Sequence, residues 1–406
     1  MSSVCGTRFV LGRLICLGVM VSMITDTISY VGVDDLELDL FESQYAVPNG
    51  MAYNSYLVFD ERVALMDAVD RRKSDVWLEK VHRALAGRKP DYLVIHHMEP
   101  DHSGAILQAL ERYPAMKIVG SARAILMLGQ FFDGVDFSHN TLVVKEGDTL
   151  SLGERELRFY AAPMVHWPEV MVSYDTCDRV LFSADAFGKF GTLSCNEEWV
   201  SEARRYYFNI CGKYGVSVQA LLKKVAELDV ACICPLHGPV LRSKLNYYID
   251  LYAKWSSYEP ETEGVFVAYA SIHGGTAEAA RRLAELLYAK GAKRVMVADL
   301  CRYDRSRAVA NAFRMSRLVV AASSYDGGLF PPMYDFLHHL QIKGYQRRRV
   351  GIIENGSWAP SADRVMRNLL GQMAHLELIS PTVTIHSRLK QQDEHALEAL
   401  AAAMLK

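Results

Sequence analysis

The sequence has no Cys-x-x-Cys pair, no marked excess of one charge and no long uninterrupted hydrophobic run. Its eight cysteines stand at positions 5, 16, 177, 195, 211, 232, 234 and 301, which argues against a zinc knuckle or a cysteine-bound iron–sulfur module and is typical of reduced cytosolic thiols. A formal net charge of −2 over 406 residues gives no basic surface for nucleic acid or anionic lipid. Small molecules and other proteins are therefore the expected partners.

The N-terminal segment resembles a secretory signal but lacks its essential parts. Arg8 and Arg13 bracket an apolar run that continues to Ile24, yet this run is too short and too interrupted to span a membrane. No small-x-small cleavage site follows it. We expect an extended or non-native start, with Met20 or Met23 as the initiator, rather than export. The protein is accordingly predicted to be cytoplasmic and without a membrane anchor.

The length of the chain and its hydrophobic patterning predict two domains. From residue 26 to 255, short β-type runs such as 56–59 alternate with polar turns and helical stretches, which indicates a mixed α/β sandwich. The polar segment 256–264 is predicted to be a linker. Over 265–406, strand-like runs alternate with amphipathic stretches such as 276–290, a pattern that predicts a parallel sheet with helices on both faces.

The stretch HHMEPDHSG, residues 96–104, follows an apolar run directly. Four potential metal ligands lie in it within six residues: His97, Glu99, Asp101 and His102. Each alone is more often a structural or solvated side chain, but such crowding of carboxylates requires a compensating cation. Three further candidates each stand in a loop just past an apolar strand: His166, Asp185 and His237. Together these residues predict a metal site.

The second half contains a possible phosphate-binding turn, Ser271-Ile272-His273-Gly274-Gly275-Thr276, between a strand and a helix. Backbone N–H groups at a helix N-terminus bind phosphate, although this turn alone reads more simply as a glycine-rich connection. Two more loops follow later strands, and in an open α/β sheet all three meet at one edge. Their candidate binding residues are Ser324, Tyr325, Asp326, Gly327, Gly328, Asn355, Gly356, Ser357 and Trp358. No dinucleotide fingerprint with a downstream acid is present, so bound NAD is not expected.

The order of these motifs resembles the flavodiiron proteins over roughly residues 26 to 400. The match consists of His-x-Glu-x-Asp-His, His-Trp-Pro, Asp-Ala-Phe-Gly and a His-Gly turn, with segments 202–210 and 53–56 as further matches. Hydrolases of the metallo-β-lactamase fold carry His at the position of Glu99. An anionic carboxylate there gives a mixed nitrogen and oxygen ligand set that suits redox-active iron better than zinc.

The resemblance implies the fold class α/β, with an N-terminal metallo-β-lactamase-like αββα sandwich followed by a flavodoxin-like doubly wound parallel sheet. The implied boundaries are 1–25 for an extension, 26–255 for the diiron domain, 256–264 for the linker and 265–406 for the FMN domain. The implied ligands are His97, Glu99 and His166 for the first non-haem iron and Asp101, His102 and His237 for the second, with Asp185 bridging them. His102 is the least secure of these ligands.

The resemblance also implies that the three loops of the second half hold FMN. Trp358 or Tyr325 would cover the flavin ring, with a buried structural aromatic as the simpler alternative at either place. The phosphate loop departs from the commoner Thr/Ser-x-x-Gly-Asn-Thr pattern through Gly275, which removes a side-chain contact.

The implied activity is reduction of dioxygen to water, of nitric oxide to nitrous oxide, or both. Two electrons from the irons and two from reduced FMN suffice to take dioxygen to water. The electrons would come from an external donor such as a rubredoxin-like protein or a flavin reductase, and a head-to-tail homodimer or homotetramer is implied. Many members have a Phe-His-Gly turn where this chain has Phe41-Glu42-Ser43-Gln44-Tyr45, which leaves the substrate preference open.

Two other classes of protein remain compatible with the sequence. The first is a zinc hydrolase of the same fold with a flavodoxin domain fused behind it, and Glu99 argues against it. The second is a non-catalytic electron-transfer or binding protein with a degenerate metal site, against which the full ligand set argues.

Overall fold

The structure, a computed structural model, describes residues 22–195 and 198–406. The chain divides into two compact units. The first comprises the chain up to Ala203 together with Val216–Asp250, and the second comprises Arg204–Gly215 together with Leu251–Lys406. Most of the predicted N-terminal extension lies outside the described residues.

The strands and helices up to Ser256 include all of those in the first unit. The strands are β1 Ser22–Met23, β2 Ile28–Tyr30, β3 Val33–Asp35, β4 Leu40–Phe41, β5 Tyr45–Ala46, β6 Met51–Tyr53, β7 Tyr56–Phe59, β8 Val63–Met66, β9 Tyr92–Val94, β10 Lys117–Ser121, β11 Thr141–Val144, β12 Thr149–Ser151, β13 Glu156–Ala161, β14 Met171–Asp175, β15 Val180–Phe182 and β16 Cys232–Cys234. The α-helices are α1 Ser74–Leu85, α2 Pro100–Ser103, α3 Ile106–Arg112, α4 Ala122–Phe131, α5 Trp199–Ile210, α6 Gly215–Val225 and α7 Leu245–Ser256.

Two sheets form the centre of the first unit. One has the strand order β1-β2-β7-β8-β9-β10-β11 and the other β12-β13-β14-β15-β16. Apolar side chains from both sheets share one core, with Val58 and Val94 from the first and Phe159 and Phe182 from the second. Burying the apolar face of each sheet against the other is the main stabilising interaction of such a sandwich. The predicted metallo-β-lactamase-like sandwich is therefore confirmed.

The edge of the first sheet includes residues that the sequence assigned to the N-terminal extension. Strand β1 pairs antiparallel with β2, with Met23 opposite Ser29. The guanidinium of Arg242 donates to the backbone carbonyls of Met23 and Ile24, and the Thr25 hydroxyl donates to Asp178 at 2.6 Å. Residues 22–25 are thus part of the sandwich.

The strands and helices after Ser256 all belong to the second unit. The strands are β17 Thr262–Ala270, β18 Val295–Asp299, β19 Met315–Tyr325, β20 Gly328–Leu329, β21 Arg349–Asn355, β22 Glu377–Leu378 and β23 Val383–Ile385. The helices are α8 Gly275–Ala289, α9 Arg305–Arg314, α10 Pro331–Ile342, α11 Ala362–Leu370 and α12 Glu394–Leu405. Strand β17 begins at Thr262, three residues inside the segment predicted to be the linker.

The second unit is built on a parallel sheet with the order β18-β17-β19-β21-β22. Helices cover both faces because alternate residues of β17 point to opposite sides: Val265 and Val267 pack with α8 and α12, whereas Phe266 contacts Phe336 of α10. The short strand β20 pairs antiparallel with β19, and β23 pairs parallel with β21. The predicted flavodoxin-like doubly wound sheet is confirmed.

The end of α5 groups with the second unit although it precedes α6 and β16 in the chain. The ring of Phe208 stacks on Phe313 of α9 at 4.1 Å, and the Arg204 guanidinium makes two hydrogen bonds to the Glu261 carboxylate. A bidentate pair of this kind is among the stronger polar contacts in proteins. The domain boundaries predicted from the sequence are contiguous and place residues 204–215 in the first domain. These boundaries stay a prediction.

None of the helices within residues 22–195 and 198–406 has the length and hydrophobicity that a membrane crossing needs.

Candidate metal centre and flavin site

All seven predicted metal ligands lie in turns or short segments that follow strands. His97 and Glu99 come after β9, and Asp185 and His237 follow β15 and β16, which are parallel neighbours. Pro100 occupies the first turn of α2, where a proline needs no hydrogen-bond partner, and this short helix carries Asp101 and His102. The strand ends therefore bring residues from distant parts of the chain to one edge of the sandwich.

The first group of donors consists of His97, Glu99, His166 and Asp185, all of them buried. The Oε2 atom of Glu99 lies 3.2 Å from Nε2 of His97 and 3.0 Å from Nε2 of His166. The Oδ2 atom of Asp185 lies 3.4 and 3.2 Å from the same two nitrogens. Four potential ligand atoms thus converge on one point.

The second group consists of Asp101, His102 and His237, also buried. The Nε2 atoms of the two histidines are 3.0 Å apart, and each is 3.3 Å from Oδ2 of Asp101. The other oxygen of Asp185, Oδ1, lies 3.2 Å from His102 and 3.7 Å from His237. One carboxylate therefore presents an oxygen to each group, which is the arrangement of a bridging ligand.

The spacing of the donor atoms fits metal coordination. Protein nitrogen and oxygen ligands lie about 2.1 Å from a divalent transition metal, which puts neighbouring ligand atoms about 3.0 to 3.4 Å apart. The distances within each group fall mostly in this range. The separation suits atoms that face a common ion.

Hydrogen bonds at the opposite side of two imidazoles fix which nitrogen is available to a metal. Nδ1 of His237 is 2.7 Å from the carbonyl oxygen of Ala52, so this nitrogen carries the proton and donates it. Nδ1 of His97 is 2.8 Å from the Glu169 carboxylate. The Nε2 lone pairs of both rings are consequently directed at the centre, as in metal-bound histidines.

The Nδ1 atom of His102 has no hydrogen-bond partner among the described residues, in keeping with its position as the least secure ligand.

The buried carboxylates of the centre lack the partners that buried anions require. Both oxygens of Asp101 and both oxygens of Asp185 have no hydrogen bond among the described residues. Removing an unpaired charge from water costs roughly several kcal/mol. Buried carboxylates therefore pair with cations or bind metal ions. The donor set therefore fits metal ions by its charge as well as by its geometry.

Without metal, protonated histidines balance the negative charge of these carboxylates. Burial by itself lowers the pKa of His166, but the neighbouring carboxylates of Asp185 and Glu99 outweigh it and raise that pKa to about 9. The pKa of His97 is likewise raised well above its ordinary value by Asp185, Glu169 and Glu99 in spite of burial. The pKa of Asp185 is lowered well below its ordinary value, against the effect of burial, by the surrounding histidines.

The raised pKa of His166 predicts how the stability of the metal-free protein depends on pH. Its folded-state pKa of about 9 exceeds the ordinary value of 6.5, so protonation stabilises the folded state. This contribution is complete below pH 6.5 and is lost as the pH rises through 9. We expect the free energy of unfolding of chelator-treated protein, measured in urea, to fall over this interval. Metal-loaded protein is the control and should show a smaller fall, and equal metal-free stability at both ends would contradict the prediction.

Glu169 is a functional residue that the sequence reasoning missed. Its Oε1 accepts hydrogen bonds from Nδ1 of His97 at 2.8 Å and from the backbone N–H of Met98 at 2.9 Å, and the side chain is fully buried. The residue directly follows the His-Trp-Pro motif. An acid beside a motif that supplies a metal ligand could have identified it from the sequence. Its carboxylate orients the His97 ring and makes its other nitrogen a better donor.

Replacing Glu169 by Ala should weaken metal binding by about 10- to 100-fold, because the partner that orients His97 is lost. Equilibrium metal titration against a competing chelator measures this change. Glu154→Ala, at an exposed turn, is the matched control and should bind metal as the wild type does. Unchanged affinity of the Glu169 variant would show that the carboxylate does not support His97.

A second buried network holds the backbone next to the centre. The Asp67 carboxylate accepts hydrogen bonds from the backbone N–H of His96 at 2.7 Å and contacts its ring Nδ1. The other ring nitrogen of His96 lies 2.7 Å from the hydroxyl of Ser173. Because His96 directly precedes His97, this network ties the end of β9 to strand β14 and limits movement of the ligand.

Aromatic rings border the donors. The ring of Trp167 lies edge-on to His97 at 5.1 Å, and the ring of Phe41 lies edge-on to His237 at 5.5 Å. Phe41 ends β4, and the following turn places Glu42 and Ser43 in the left-handed region with φ of 47° and 56°. The segment that lacks the family's histidine thus forms a tight hairpin that puts an apolar ring beside the second donor group.

The three predicted flavin loops meet at the carboxyl edge of the second sheet. The Thr276 hydroxyl lies 2.9 Å from the Ser323 hydroxyl, which joins the first loop to the second. The Ser324 hydroxyl accepts the backbone N–H of Ser361 at 2.8 Å, which joins the second loop to the third. Gly274 has a φ of 91°, and a Cβ there would meet nothing within 4 Å, so the phosphate turn keeps an open space above the start of α8. The turn is therefore open to a ligand at this point.

Two details of these loops differ from the simple expectation. The second loop is an extension of the sheet, because β19 continues to Tyr325 and returns through Asp326 and Gly327 into β20. The side chain of Trp358 is 92% exposed, which rules out the alternative of a buried structural aromatic at that position. Tyr325 is 45% exposed. Both aromatic side chains are therefore accessible to a ring that binds between them.

The chain is similar to known proteins over most of its length. The sequence profile of the family described as "ODP family beta lactamase" matches residues 51–238. The anaerobic nitric oxide reductase flavorubredoxin of Aliivibrio fischeri is 29% identical over 359 residues, covering 85% of this chain and 72% of that protein. The rubredoxin oxygen:oxidoreductase of Desulfovibrio gigas superposes with a TM-score of 0.88 and 26% identity, covering 95% of this chain and 98% of the other. The flavodiiron protein of Giardia intestinalis has the same fold, with a TM-score of 0.86 and 20% identity over 96% of this chain and 97% of the other.

The two donor groups joined by Asp185, the carboxylate at position 99 and the flavodoxin-like second unit are found together in one chain. The sequence relatives span both units, and the solved structures share the whole architecture. In sequence and in fold, the chain is similar to the flavodiiron proteins.

Proposed function

We propose that this protein is an oxidoreductase that reduces dioxygen to water, nitric oxide to nitrous oxide, or both, at a pair of non-haem irons supplied with electrons through FMN. The observation that carries the proposal is the pair of buried donor groups with one oxygen of Asp185 directed at each. Two metals held by one carboxylate can act on a diatomic molecule together. The carboxylate of Glu99 favours iron over zinc in the first group.

The metal ligands in this proposal are the seven residues named by the sequence. His97, Glu99 and His166 would hold the first iron, Asp101, His102 and His237 would hold the second, and the Asp185 carboxylate would be shared by the two donor groups. When bound, iron and flavin supply one-electron redox chemistry. The chain itself contributes orientation, since Glu169 and the Ala52 carbonyl fix the rings of His97 and His237. The rings of Trp167 and Phe41 provide an apolar border, which suits a small uncharged substrate better than an ionic one.

FMN binds in this proposal at the carboxyl edge of the second sheet. Its phosphate lies against the turn 271–276 at the start of α8, where backbone N–H groups and the helix dipole favour an anion. The loops 324–328 and 355–358 would hold the flavin ring, and their exposed side chains Trp358 and Tyr325 are available to contact it. The open space at Gly274 and the hydrogen bonds that join the loops support this placement.

The relatives support both candidate substrates. Flavorubredoxin of A. fischeri is described as an anaerobic nitric oxide reductase, and the D. gigas protein as a rubredoxin oxygen:oxidoreductase. The hairpin at Phe41 lacks the histidine that many family members place there, so the proposal keeps both gases as substrates.

An external protein of acidic character is the proposed electron donor. Residues 251–406 contain 20 Lys and Arg against 15 Asp and Glu, whereas residues 1–250 contain 25 against 32. A positive excess in the flavin half attracts an acidic carrier and speeds its association. A rubredoxin-like protein with an acidic surface is the candidate, and a flavin reductase is the alternative.

The assembly and compartment of the protein remain proposals as well. We propose a head-to-tail homodimer, alone or paired into a tetramer, which sedimentation velocity tests directly. We also propose a cytoplasmic location, which cell fractionation tests.

The first experiment is elemental analysis and visible absorbance on one anaerobically purified preparation. About two irons and one FMN per chain are expected, followed by oxygen and nitric oxide consumption with a reduced donor. Each gas is tested separately, so the two rates decide the substrate.

Two results would contradict the proposal. Zinc in place of iron, with hydrolysis of thioester or phosphodiester substrates, would favour the hydrolase of the same fold. Iron and FMN at full occupancy without consumption of either gas would favour a non-catalytic electron carrier.

A further inference from the structure

The loop after β23, residues 386–390, lies against the proposed flavin phosphate site although no motif in the sequence marks it. The carbonyl oxygen of Ser387 is so close to Gly275 that a Cβ on that glycine would lie only 2.0 Å from it. Gly275 is the first residue of α8, where the phosphate is proposed to bind. The loop therefore forms one wall of the space above the helix N-terminus.

A reciprocal pair of hydrogen bonds fixes this wall. The Ser387 backbone N–H donates to Oδ1 of Asn355 at 3.0 Å, and Nδ2 of Asn355 donates to the Ser387 carbonyl at 3.0 Å. The Ser387 hydroxyl is 2.8 Å from the hydroxyl of Ser357. Ser387 itself has a φ of 70°, a strained value for a residue with a side chain, which the paired hydrogen bonds hold in place. The loop thus contacts two of the three flavin loops.

The missing side chain at Gly275 has a steric explanation in this arrangement. The commoner phosphate loop carries Asn at that position, but here the Ser387 carbonyl and Nδ2 of Asn355 occupy the space. The contact that the glycine gives up must come from another residue if the phosphate is to be held as firmly. The residue next to Ser387 is a cation, Arg388.

Arg388 is exposed, and among the residues that the structure describes its guanidinium has no ion-pair partner. Lys390, two residues further on, is tied back instead, since its amino group donates to the carbonyl of His386 at 2.8 Å. A guanidinium forms bidentate, charge-assisted hydrogen bonds to a phosphate within its reach, and Arg388 directly follows the residue that packs on Gly275.

We propose that the 386–388 loop is a fourth flavin-binding loop, in which Ser387 positions the phosphate turn and Arg388 binds the phosphate of FMN. This inference rests on the proposed FMN site and goes beyond it by naming the residue that distinguishes FMN from riboflavin, which lacks the phosphate.

The test compares the two flavins on full-length protein stripped of its cofactor. The quenching of flavin fluorescence gives dissociation constants for FMN and for riboflavin. Arg388→Gln should weaken FMN binding about tenfold and leave riboflavin within about twofold, because only the phosphate contact is lost. The matched control Lys390→Gln removes the same charge two residues away and should leave both constants within about twofold of the wild type.

A second variant tests the steric part. Gly275→Asn restores the commoner loop sequence, and because its Cβ would displace Ser387, it should weaken FMN binding at least tenfold instead of strengthening it.

The outcomes separate this inference from the proposed function. Wild-type protein that binds neither flavin overturns the flavin site and the inference with it. Wild-type protein that prefers FMN, combined with an Arg388→Gln variant that keeps the same preference, overturns the inference alone. Tighter FMN binding by Gly275→Asn also overturns it, because the 386–388 loop would then not fill that space.

Discussion

Asp185→Asn should remove both metal ions and lower gas consumption by more than about 100-fold. Loss of a residue that only orients a ligand costs 10- to 100-fold in metal affinity or activity, and a bridging ligand is expected to cost more. Asn has the same shape as Asp, but it lacks the negative charge, and one of its two oxygens is replaced by an NH₂ group that cannot bind a metal. One oxygen of Asp185 faces His97 and His166 while the other faces His102. The substitution therefore weakens both donor groups at once.

The matched control is Asp175→Asn, a buried carboxylate of strand β14 that pairs with Arg155 and takes no part in the donor groups. This variant should lose stability in urea but keep two metals per chain. Metal content by elemental analysis and the urea midpoint of both variants separate metal loss from unfolding. Two irons retained in Asp185→Asn would mean that this carboxylate does not bridge.

Glu99→His should exchange the metal while leaving the flavin in place. The change makes the motif that of the hydrolases, replaces an anion with a neutral imidazole and reduces the charge that stabilises oxidised iron. We expect zinc in the first donor group when cells are grown with both metals and loss of more than about 99% of reductase turnover, because zinc has no redox chemistry. Flavin absorbance should stay unchanged, since the flavin loops are formed by the second unit.

The control for this prediction is Glu99→Gln, which removes the charge without supplying an imidazole. It should bind little of either metal in the first group. Glu99→His protein that retains both iron and turnover would show that the carboxylate does not select the metal, and the choice of iron would have to come from elsewhere in the centre.

The local motifs of this chain could be located on the fold from the sequence because each combines a strand with the turn that follows it. An apolar run such as 91–95 is long enough to be identified as a strand, and parallel strands present their carboxyl ends at one edge. That regularity made it possible to predict that His97 and His237, 140 positions apart in the numbering, belong to one site. The two-layer sandwich and the parallel sheet followed from the same alternation.

Elements without strong periodicity were predicted less well. The extension of β19 into a hairpin at Tyr325 depends on Asp326 and Gly327 adopting left-handed conformations, with φ of 48° and 68°. Residues 204–215 fall inside the predicted domain 26–255, and their membership of the second unit depends on the contacts of Phe208 and Arg204 with residues far along the chain. Such contacts have no local signature.

The sequence by itself determined the fold class, because strand and helix patterns depend on residue type. It also predicted the seven donor residues and the three flavin loops from their position after strands. Only the tertiary structure decided that Glu169 supports His97, that Asp185 presents one oxygen to each donor group, and that Ser387 fills the space above Gly275. These relations depend on distances between segments separated by up to 112 residues, as for Gly275 and Ser387. The packing of the whole unit fixes such distances, and the neighbouring residues in the chain do not.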